Sequence, residues 1–277
     1  TPRDFIMPEL PEVETTLRGI APHISGQHIV AADIRTPRLR FEIPPGLAQI
    51  LAGTRVTRVH RRAKYLLFDC ENGTIILHLG MSGSLRIVER NQAPTRHEHF
   101  DLVFGNGKVL RFRDPRRFGS LLWTQTDVFR HPLLVNLGVE PLSDAFDTNT
   151  LANLAHGRKV GIKQLLMDSH AIVGIGNIYA AESLFRAGID PRRAAGRVAK
   201  TRLARLVIEI KATLHDAIGA GGSSLRDYVG GTGEAGYFQQ RYFVYGRGGL
   251  PCRRCGTRLK SLRLGQRASV YCPRCQT

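Results

Sequence analysis

Between residues 28 and 113 the chain alternates apolar and polar positions in short runs rich in Val, Ile, Leu and Phe. Period-two alternation of this kind predicts β-strands. The predicted strands are HIVAADIR, RVTRVHRR, KYLLFDC, TIILHLG, SLRIV, FDLVF and KVLRFR. Asn72-Gly73 and Asn106-Gly107 separate two pairs of these runs, and Asn-Gly is a strong hairpin signal. Many short strands joined by close turns predict an antiparallel sandwich or barrel.

Helical patterns lie on both sides of the strands. Leu10, Val13 and Leu17 recur at helical spacing, with acidic residues in the opening turn. After about Trp123, helix-like segments follow: VFRHPLLVNLG, VGIKQLLMD, NIYAAESLFRAG and RVAKTRLARLVIEIKATLHDAIG. A glycine-rich stretch covers 219–236. The change of pattern places a domain boundary near residues 125–137.

The net charge of the chain limits the kinds of protein to which it can belong. With 277 residues and 42% hydrophobic content, the chain is long enough for two folded domains. Forty Lys and Arg against 23 Asp and Glu leave a net charge of +17, which favours polyanionic partners, above all phosphate backbones. A basic enzyme or a binder of acidic lipid is the alternative. No apolar run reaches about 18 residues and no apolar signal core opens the chain, so no membrane span and a cytoplasmic location are expected.

Four of the five cysteines form two CxxC pairs separated by 16 residues near the end of the chain. This spacing predicts a zinc ribbon and disfavours two redox pairs. The predicted ligands are Cys252, Cys255, Cys272 and Cys275. Four thiolates leave the zinc no open position, so the ion is structural, and Arg267 on the intervening hairpin is the functional candidate. Cys70 alternates with apolar residues and is predicted to be a buried small hydrophobe.

The stretch MPELPEVE contains candidate chemistry. If its amine were free, Pro8 would have a pKa of roughly 8 and could attack an electrophilic carbon to form an iminium. Glu9 beside it could move protons, and Glu12 lies one turn further on. From these residues alone the simpler interpretation is favoured, namely an ordinary helix start, where proline and acidic residues are common.

Six motifs in order across the chain change that balance: PELPEVETTLRG, RRAKYLLF, LHLGMSGSLR, RFRDPRRFG, VGIGNIYAAESLFRAGI and QRASVYCPRCQ. With the cysteine pattern, they make the chain resemble the formamidopyrimidine-DNA glycosylase family of bacterial base-excision enzymes. The related endonuclease VIII branch opens with Pro-Glu-Gly, whereas Leu10 follows Pro8-Glu9 here.

The resemblance implies an α+β fold. An N-terminal helix plus an antiparallel β-sandwich domain would precede a C-terminal helical domain with a helix-two-turn-helix motif and a four-cysteine zinc ribbon. The implied parts are an N-terminal extension (1–7), a catalytic sandwich (8–130), a helical DNA-binding domain (131–240) with a lesion-covering loop (219–236), and the ribbon (241–277). The same loop composition also fits a plain linker.

The resemblance also implies an activity. The enzyme would be a bifunctional glycosylase and AP lyase, excising 8-oxoguanine and formamidopyrimidines from double-stranded DNA. In the family the N-terminal proline, here Pro8, forms a Schiff base at the sugar, Glu9 is the acid/base, and β,δ-elimination cuts the strand. One structural Zn²⁺, a monomeric state and a nucleoid location in the bacterial cytoplasm complete the expectation. The alternatives are a glycosylase for oxidised pyrimidines and a non-catalytic DNA-damage binder.

Further site residues follow from the matching motifs. Lys64 matches a catalytic lysine that grips phosphate near the lesion, with a solvated strand lysine as the alternative. The implied DNA-binding residues are His78, Lys163, Asn177 and Arg267. Pattern alone would make His78 part of a polar strand face, Lys163 an exposed helical lysine and Asn177 a helix N-cap.

A second group of matching residues would act where the damaged base leaves the stack. Met81, Arg116 and Phe118 match the trio that fills this gap, although pattern alone would make Met81 a loop or core residue and Phe118 a core residue. Glu12 would support the site by hydrogen bonding, or serve only as a helix-start charge.

The sequence TPRDFIM stands in front of Pro8, which departs from the family pattern. The nitrogen of an internal proline is an amide and cannot act as a nucleophile. Three alternatives remain: the extra residues are trimmed, the protein is deliberately blocked, or it is a natural non-catalytic binder. The otherwise complete site favours the first, so residues 1–7 are expected to be trimmed or non-native.

Overall fold

The structure is a computed structural model that describes residues 8–222 and 242–277. The predicted extension 1–7 lies outside the described residues, as does 223–236 of the predicted covering loop. Contacts between residues divide the described chain into two units. The first comprises residues 8–135 and 220–222, and the second comprises 136–219 and 242–277. Each unit is described by itself below.

The first unit is a β-sandwich preceded by a helix. Its elements are α1 (Leu10–Ile24), β1 (Ile29–Ile34), α2 (Leu47–Leu51), β2 (Val56–Arg62), β3 (Tyr65–Cys70), β4 (Gly73–His78), β5 (Ser84–Glu89), β6 (Glu98–Phe104), β7 (Lys108–Arg113) and β8 (Ser120–Thr124). One antiparallel sheet has the order β1-β6-β7-β5 and the other β2-β3-β4-β8. The predicted α+β class is confirmed, and the two separate sheets make a sandwich of the seven predicted strands and of β8, which was not predicted.

Both predicted Asn-Gly hairpins are present. The first joins β3 to β4, with Cys70 opposite Gly73, and the second joins β6 to β7, with Val103 opposite Val109. Gly107 has φ 82°, a backbone conformation that glycine adopts without steric cost.

A single apolar cluster fills the space between the two sheets. Phe100 and Phe112 stack on each other from β6 and β7, with ring centroids 5.0 Å apart. Phe68 and Ile75 enter the cluster from the opposite sheet, and Val13 enters it from α1. The helix is therefore held by burial of one apolar stripe, as its sequence pattern predicts. Cys70 is half-buried at the margin of the cluster, which is less burial than predicted.

The second unit is helical and ends in a small β-ribbon. Its elements are α3 (Thr148–Ala155), α4 (Ile162–Leu166), α5 (Asn177–Ala187), α6 (Lys200–Gly219), β9 (Lys260–Leu264) and β10 (Arg267–Tyr271). Residues at helical spacing on α6, among them Leu203, Leu206 and Ile210, are buried. Gly188 ends α5 with φ 72°, the left-handed conformation expected of a glycine after a helix.

One helix prediction is wrong and two helices were not predicted. VFRHPLLVNLG forms only a 3₁₀ turn at Val128–Arg130, because Pro132 lacks an N–H and its ring clashes with a continuing helix. The unpredicted helices are α2 and α3, and α3 begins where the Asp147 side chain accepts a hydrogen bond from the Thr150 N–H at 2.7 Å. No helix in 8–222 or 242–277 combines the length and apolar character needed to cross a bilayer.

Candidate active site

The start of α1 places Pro8 and Glu9 together in a buried position. The Glu9 N–H donates to Glu12 Oε2 at 2.9 Å, and Glu12 has no exposed surface. This bond satisfies one of the backbone donors that a helix start leaves without a partner in the helix. Glu12 thereby fixes the backbone next to Pro8, which makes it a positioning group as well as a helix-start charge.

The described beginning of the glycine-rich segment packs against the same place. Gly222 has φ 80°, and a Cβ added there would lie 3.3 Å from Glu12 Oε1 and 3.5 Å from Glu12 Cα. A larger residue would therefore be strained in its backbone and crowded against the carboxylate. The segment predicted as a covering loop starts, at Gly222, in contact with the residue that braces Glu9.

Lys64 lies in the tight turn between β2 and β3, not inside a strand. Ala63 before it has φ 55°, the left-handed conformation of a hairpin turn. Arg61 holds this turn: its Nη1 donates to Ala63 O at 2.7 Å and its Nε to Glu14 Oε2 at 3.1 Å. Because Glu14 belongs to α1, the Lys64 turn is tied to the helix that follows Pro8 and Glu9.

His78 ends β4 as a neutral hydrogen-bond donor. Its Nδ1 accepts from the Gly80 N–H at 2.9 Å, so the neutral ring must carry its proton on Nε2. Burial, reinforced by the charges of Lys64 and Arg40, lowers the pKa of His78 to about 4. The ring therefore presents an Nε2–H at neutral pH in a cationic environment, which suits contact with an anion.

Asp114 joins the two loops that contain Met81, Arg116 and Phe118. Its Oδ1 accepts from Ser82 Oγ at 2.5 Å and from the Arg116 N–H at 3.2 Å. Its Oδ2 accepts from the Gly119 N–H at 2.7 Å, and the side chain is fully buried. One carboxylate thus fixes both loops relative to each other.

Close backbone packing brings these loops together. A Cβ on Gly80 would lie 2.4 Å from the Phe118 carbonyl carbon, and one on Gly119 would lie 2.6 Å from Phe112 Cζ. Phe118 remains 42% exposed, although its residue type and pattern favour the core. The Arg116 guanidinium lies 4.8 Å from the centroid of the Phe118 ring, within the range of a cation–π interaction. The structure therefore presents an aromatic wedge and a cation at one edge of the sandwich.

We expect Asp114→Asn to impair activity and stability together. An amide NH₂ would face one of the N–H or O–H donors, which costs about 1–3 kcal/mol at a buried site. A displacement of the two loops by about 1 Å is sufficient for a loss of activity of order 100-fold. Urea unfolding and single-turnover base excision measure the two effects, with exposed Asp33→Asn as the matched control. Parent-like values for Asp114→Asn in both assays would show that the carboxylate does not hold the loops.

Lys163 in the second unit is buried, which rules out its interpretation as an exposed helical lysine. Its Nζ donates to Ser269 Oγ at 2.7 Å and lies 3.4 Å from Ala268 O, both in β10. Lys163 and Arg267 also line one cavity of about 180 Å³. Lys163 therefore holds the strand that Arg267 begins, and Arg267 itself is exposed on the hairpin, as predicted.

Asn177 is the first residue of α5, and Gly176 occupies the N-cap position predicted for Asn177. Gly176 has the extended backbone of a cap residue but no side chain, so the first N–H groups of α5 receive no side-chain cap. Helix starts are common binding places for anions, because the helix dipole favours negative charge there.

The four predicted zinc ligands come together. Their Sγ atoms all lie within 4.8 Å of one another, and the pairs Cys252–Cys275 and Cys255–Cys272 are 4.0 and 3.5 Å apart. A zinc tetrahedron with Zn–S bonds of about 2.3 Å requires sulfur separations of about 3.8 Å, so the residues fit the ion. Burial and the neighbouring sulfurs raise the pKa of Cys275 to about 12. Zinc binding must displace that proton, which makes it pH-dependent.

The sequence interpretation missed Glu182. This fully buried carboxylate of α5 accepts hydrogen bonds from three consecutive N–H groups, those of Phe243, Val244 and Tyr245, at 2.8–2.9 Å. The arrangement ties the start of the segment 242–277 to α5. A Glu within NIYAAESLF, a segment of mostly apolar residues, was the available signal.

A nucleophile candidate at a braced helix start, a wedge at the sandwich edge and a structural zinc ribbon define a class, the DNA glycosylases of base-excision repair. Family models cover most of the chain. The formamidopyrimidine-DNA glycosylase N-terminal domain matches residues 7–121, its H2TH domain matches 137–229, and the zinc finger found in FPG and IleRS matches 249–277. The chain belongs to the formamidopyrimidine-DNA glycosylase family.

Relatives match along their whole length. The formamidopyrimidine-DNA glycosylases of Pseudomonas putida W619 and Pseudomonas aeruginosa LESB58 are each 56% identical over 270 residues, 98% of this chain and 100% of the relative. The MutM (Fpg) protein of Thermus thermophilus superposes with a TM-score of 0.86 at 38% identity, covering 97% of this chain and 98% of that one. Lactococcus lactis Fpg, solved in complex with an abasic site containing DNA, gives 0.89 at 31% identity, with 97% and 99% covered.

Proposed function

We propose that this chain is a bifunctional DNA glycosylase and AP lyase that removes oxidised purines, 8-oxoguanine and formamidopyrimidines, from duplex DNA. The observation that carries the proposal is the buried Pro8–Glu9 pair at the start of α1, with Glu12 bound to the Glu9 N–H. Family membership supplies the reaction class, and a Lactococcus lactis Fpg mutant was solved with a Fapy-dG containing DNA.

In the proposed reaction the Pro8 amine attacks the sugar C1′ carbon as the glycosidic bond breaks. The electrons of that bond leave with the base, which takes up a proton, and the sugar ring opens to an iminium on Pro8. Glu9 moves the proton to and from the ribose oxygen. The iminium acidifies the neighbouring sugar hydrogens, so that β- and then δ-elimination release both phosphates. Because an amide nitrogen cannot begin these steps, the proposal is for a chain that begins at Pro8.

Phosphate contacts are proposed for cationic and donor groups of both units. In the first unit they are Lys64, at the tip of its hairpin, and the Nε2–H of His78. In the second unit they are Arg267 and the start of α5 at Asn177. Lys163 contributes by holding the strand that Arg267 begins, since its Nζ is engaged by Ser269 and buried.

Met81, Arg116 and Phe118 are proposed to fill the space that a flipped nucleotide leaves. Extrusion of a base removes its stacking and leaves its partner unpaired. An apolar wedge replaces the stacking, and a guanidinium can bond the orphaned base. The exposed Phe118 ring with Arg116 against its face supports this role.

A pair of His78 variants tests the donor role. His78→Asn keeps an acceptor for the Gly80 N–H but loses the Nε2–H, and His78→Gln keeps a donor near Nε2 but loses the Gly80 acceptor. We expect His78→Asn to weaken lesion-DNA binding by about tenfold or more, since hydrogen bonds to charged groups contribute about 1.5–3 kcal/mol. His78→Gln should retain more of the affinity. Equal affinity of His78→Asn and the parent would contradict the phosphate role.

His78 also makes the free energy of unfolding depend on pH in a direction that its pKa determines. A folded-state pKa of about 4, below the ordinary value of 6.5, means that the folded protein prefers the neutral ring. This contribution to stability is complete above pH 6.5 and is lost as the pH falls from 6.5 towards 4. In urea unfolding, the stability difference between the parent and His78→Asn should therefore narrow over that interval.

The function itself is tested with matched duplexes that contain 8-oxoguanine, a formamidopyrimidine or an oxidised pyrimidine. Preferential excision of the two purine lesions, with cleavage on both sides of the lost nucleoside, is expected. Preferential excision of the pyrimidine would favour the endonuclease VIII-like alternative, which Leu10 after Pro8-Glu9 disfavours. We further propose that the enzyme acts as a monomer at the nucleoid in the bacterial cytoplasm, and sedimentation with and without duplex checks the monomer.

A further inference from the structure

Two basic segments of the second unit are held side by side by backbone hydrogen bonds. The Gly196 N–H donates to Arg158 O at 3.0 Å, and the Ala195 N–H donates to Val160 O at 2.9 Å. These bonds fix the segment before α4 against the segment before α6. Cations on the two segments therefore form one surface on a rigid support. None of the proposed catalytic or DNA-contacting residues belongs to it.

Four exposed cations define this surface, called the basic ridge: Arg158, Lys159, Arg193 and Arg197. Within residues 8–222 and 242–277, none of the four makes an ion pair. The nearby carboxylate of Asp190 is already occupied, because it accepts from Arg192 Nη2 at 2.6 Å and Nε at 3.0 Å. The ridge thus presents positive charge that its own fold does not neutralise.

Two open concavities give the ridge its shape. One has a volume of about 440 Å³ and is lined by Arg192, Arg193 and Arg197 with Asp190 and Thr277. The other has a volume of about 450 Å³ and is lined by Arg158, Lys159 and Arg197 with two glycines. Ala194 and Arg197 belong to both, so the concavities adjoin.

The charge of the ridge also affects a neighbouring side chain. Burial, followed by the charges of Arg193 and Arg205, lowers the pKa of Arg202. Arg202 Nη2 in turn donates to two backbone carbonyls, Gly188 O at 2.8 Å and Thr277 O at 2.6 Å. Arg193, Arg202 and Arg205 are therefore held close enough to repel one another, an arrangement that an external polyanion would stabilise.

We propose that the basic ridge binds the phosphate backbone of duplex DNA outside the stretch that contacts the lesion site. Guanidinium groups bind phosphate through paired N–H donors, and three of the four ridge cations are arginines. Glycines at 157 and 196 leave the rim of one concavity without side chains, which permits close approach of a backbone. This inference rests on the proposed function, since duplex DNA is the polyanion that the enzyme must search. Contacts of this kind contribute sequence-independent affinity.

The test measures binding to undamaged duplex as a function of salt. The ridge variant combines Arg158→Gln, Lys159→Gln, Arg193→Gln and Arg197→Gln in the full chain. Its matched control removes four exposed cations elsewhere: Arg58→Gln, Arg90→Gln, Arg96→Gln and Arg274→Gln. Fluorescence anisotropy on a duplex of about 40 base pairs gives the slope of log K against log [KCl]. The slope is negative, and each phosphate that the protein no longer neutralises reduces its magnitude by about 0.9. We therefore expect the magnitude of the slope to fall by about 2 to 4 in the ridge variant.

Two outcomes would overturn the proposal. One is a salt slope of the ridge variant equal to that of the parent, or a fall no larger than that of the control. The other is an unchanged slope combined with loss of binding to phosphatidylglycerol vesicles, which would assign the ridge to a membrane surface. The rate at which the ridge variant excises the lesion from a short duplex is measured separately and should equal that of the parent. If the parent protein does not excise the lesion, the proposed function is wrong. The salt slopes on undamaged duplex still test the proposal for the basic ridge in that case.

Discussion

Glu9→Gln is expected to reduce excision of 8-oxoguanine by about 10²- to 10⁴-fold, the usual contribution of a positioned acid/base group. Glutamine has the size of glutamate, but its amide cannot act as an acid or a base at neutral pH. The start of α1 should remain in place, because the Glu9 N–H still donates to Glu12 Oε2 and glutamine keeps a side-chain oxygen that can accept from the Glu12 N–H, as the Glu9 carboxylate does. Single-turnover kinetics on a lesion duplex measures the loss, and urea unfolding checks that stability is retained.

Two comparisons make the Glu9 result specific. Exposed Glu71→Gln removes the same charge from the first unit and should leave excision unchanged. A duplex with a preformed abasic site no longer requires release of a base. Glu9→Gln should therefore reduce base excision more strongly than it reduces formation of the covalent complex with the abasic site, measured by borohydride trapping. Parent-like excision by Glu9→Gln would remove Glu9 from the chemistry.

Removal of zinc is expected to abolish DNA binding through loss of the ribbon. Zn²⁺ binding contributes about 10–16 kcal/mol to the folding of small zinc modules. Cys272 is fully buried and packs in one cluster with Phe185 and Val244, so the metal site is continuous with the core of the ribbon. Without the ion, β10 loses its support, and Arg267 and the Ser269 partner of Lys163 lose their positions.

Chelation and Cys272→Ser should give the same result, namely loss of about one zinc per chain and of lesion-DNA affinity. Restoring zinc should restore affinity only to the chelated parent. Cys70→Ser is the matched control, because burial raises the pKa of that thiol to about 12 and its Sγ donates to Phe68 O in the first unit, away from the four-cysteine cluster. A zinc-free protein that still binds lesion DNA with parent affinity would refute a structural role for the ion.

Local patterns predicted the parts of the fold that depend on neighbouring residues. Seven of the eight sandwich strands followed from alternation, both hairpins from Asn-Gly, and the zinc ligands from the spacing of two CxxC pairs. α1 followed from the spacing of Leu10, Val13 and Leu17. Each of these signals lies within one element or one turn, where propensity and period determine the result.

Contacts between residues that are distant along the chain could not be predicted from local sequence patterns. Lys163 is buried because Ser269, 106 residues away, accepts a hydrogen bond from its Nζ, and no local pattern contains that partner. Asp114 was noted only as part of a motif, because its hydrogen bond with Ser82 spans 32 residues and two loops. Residue type alone would place Phe118 in the core, and only the family resemblance assigned it to the gap left by a flipped base; the tight approach of Gly80 to the Phe118 backbone leaves its ring at the surface.

The central claim is that the amine of Pro8 is the nucleophile. The most direct measurement combines intact mass with borohydride trapping on an 8-oxoguanine duplex, using chain that begins at Pro8 and chain that retains residues 1–7. We predict a covalent adduct of one protein with one DNA strand only when the chain begins at Pro8, because the alternative nitrogen is an amide. An adduct on chain that still begins at Thr1, or none on chain that begins at Pro8, would contradict the mechanism.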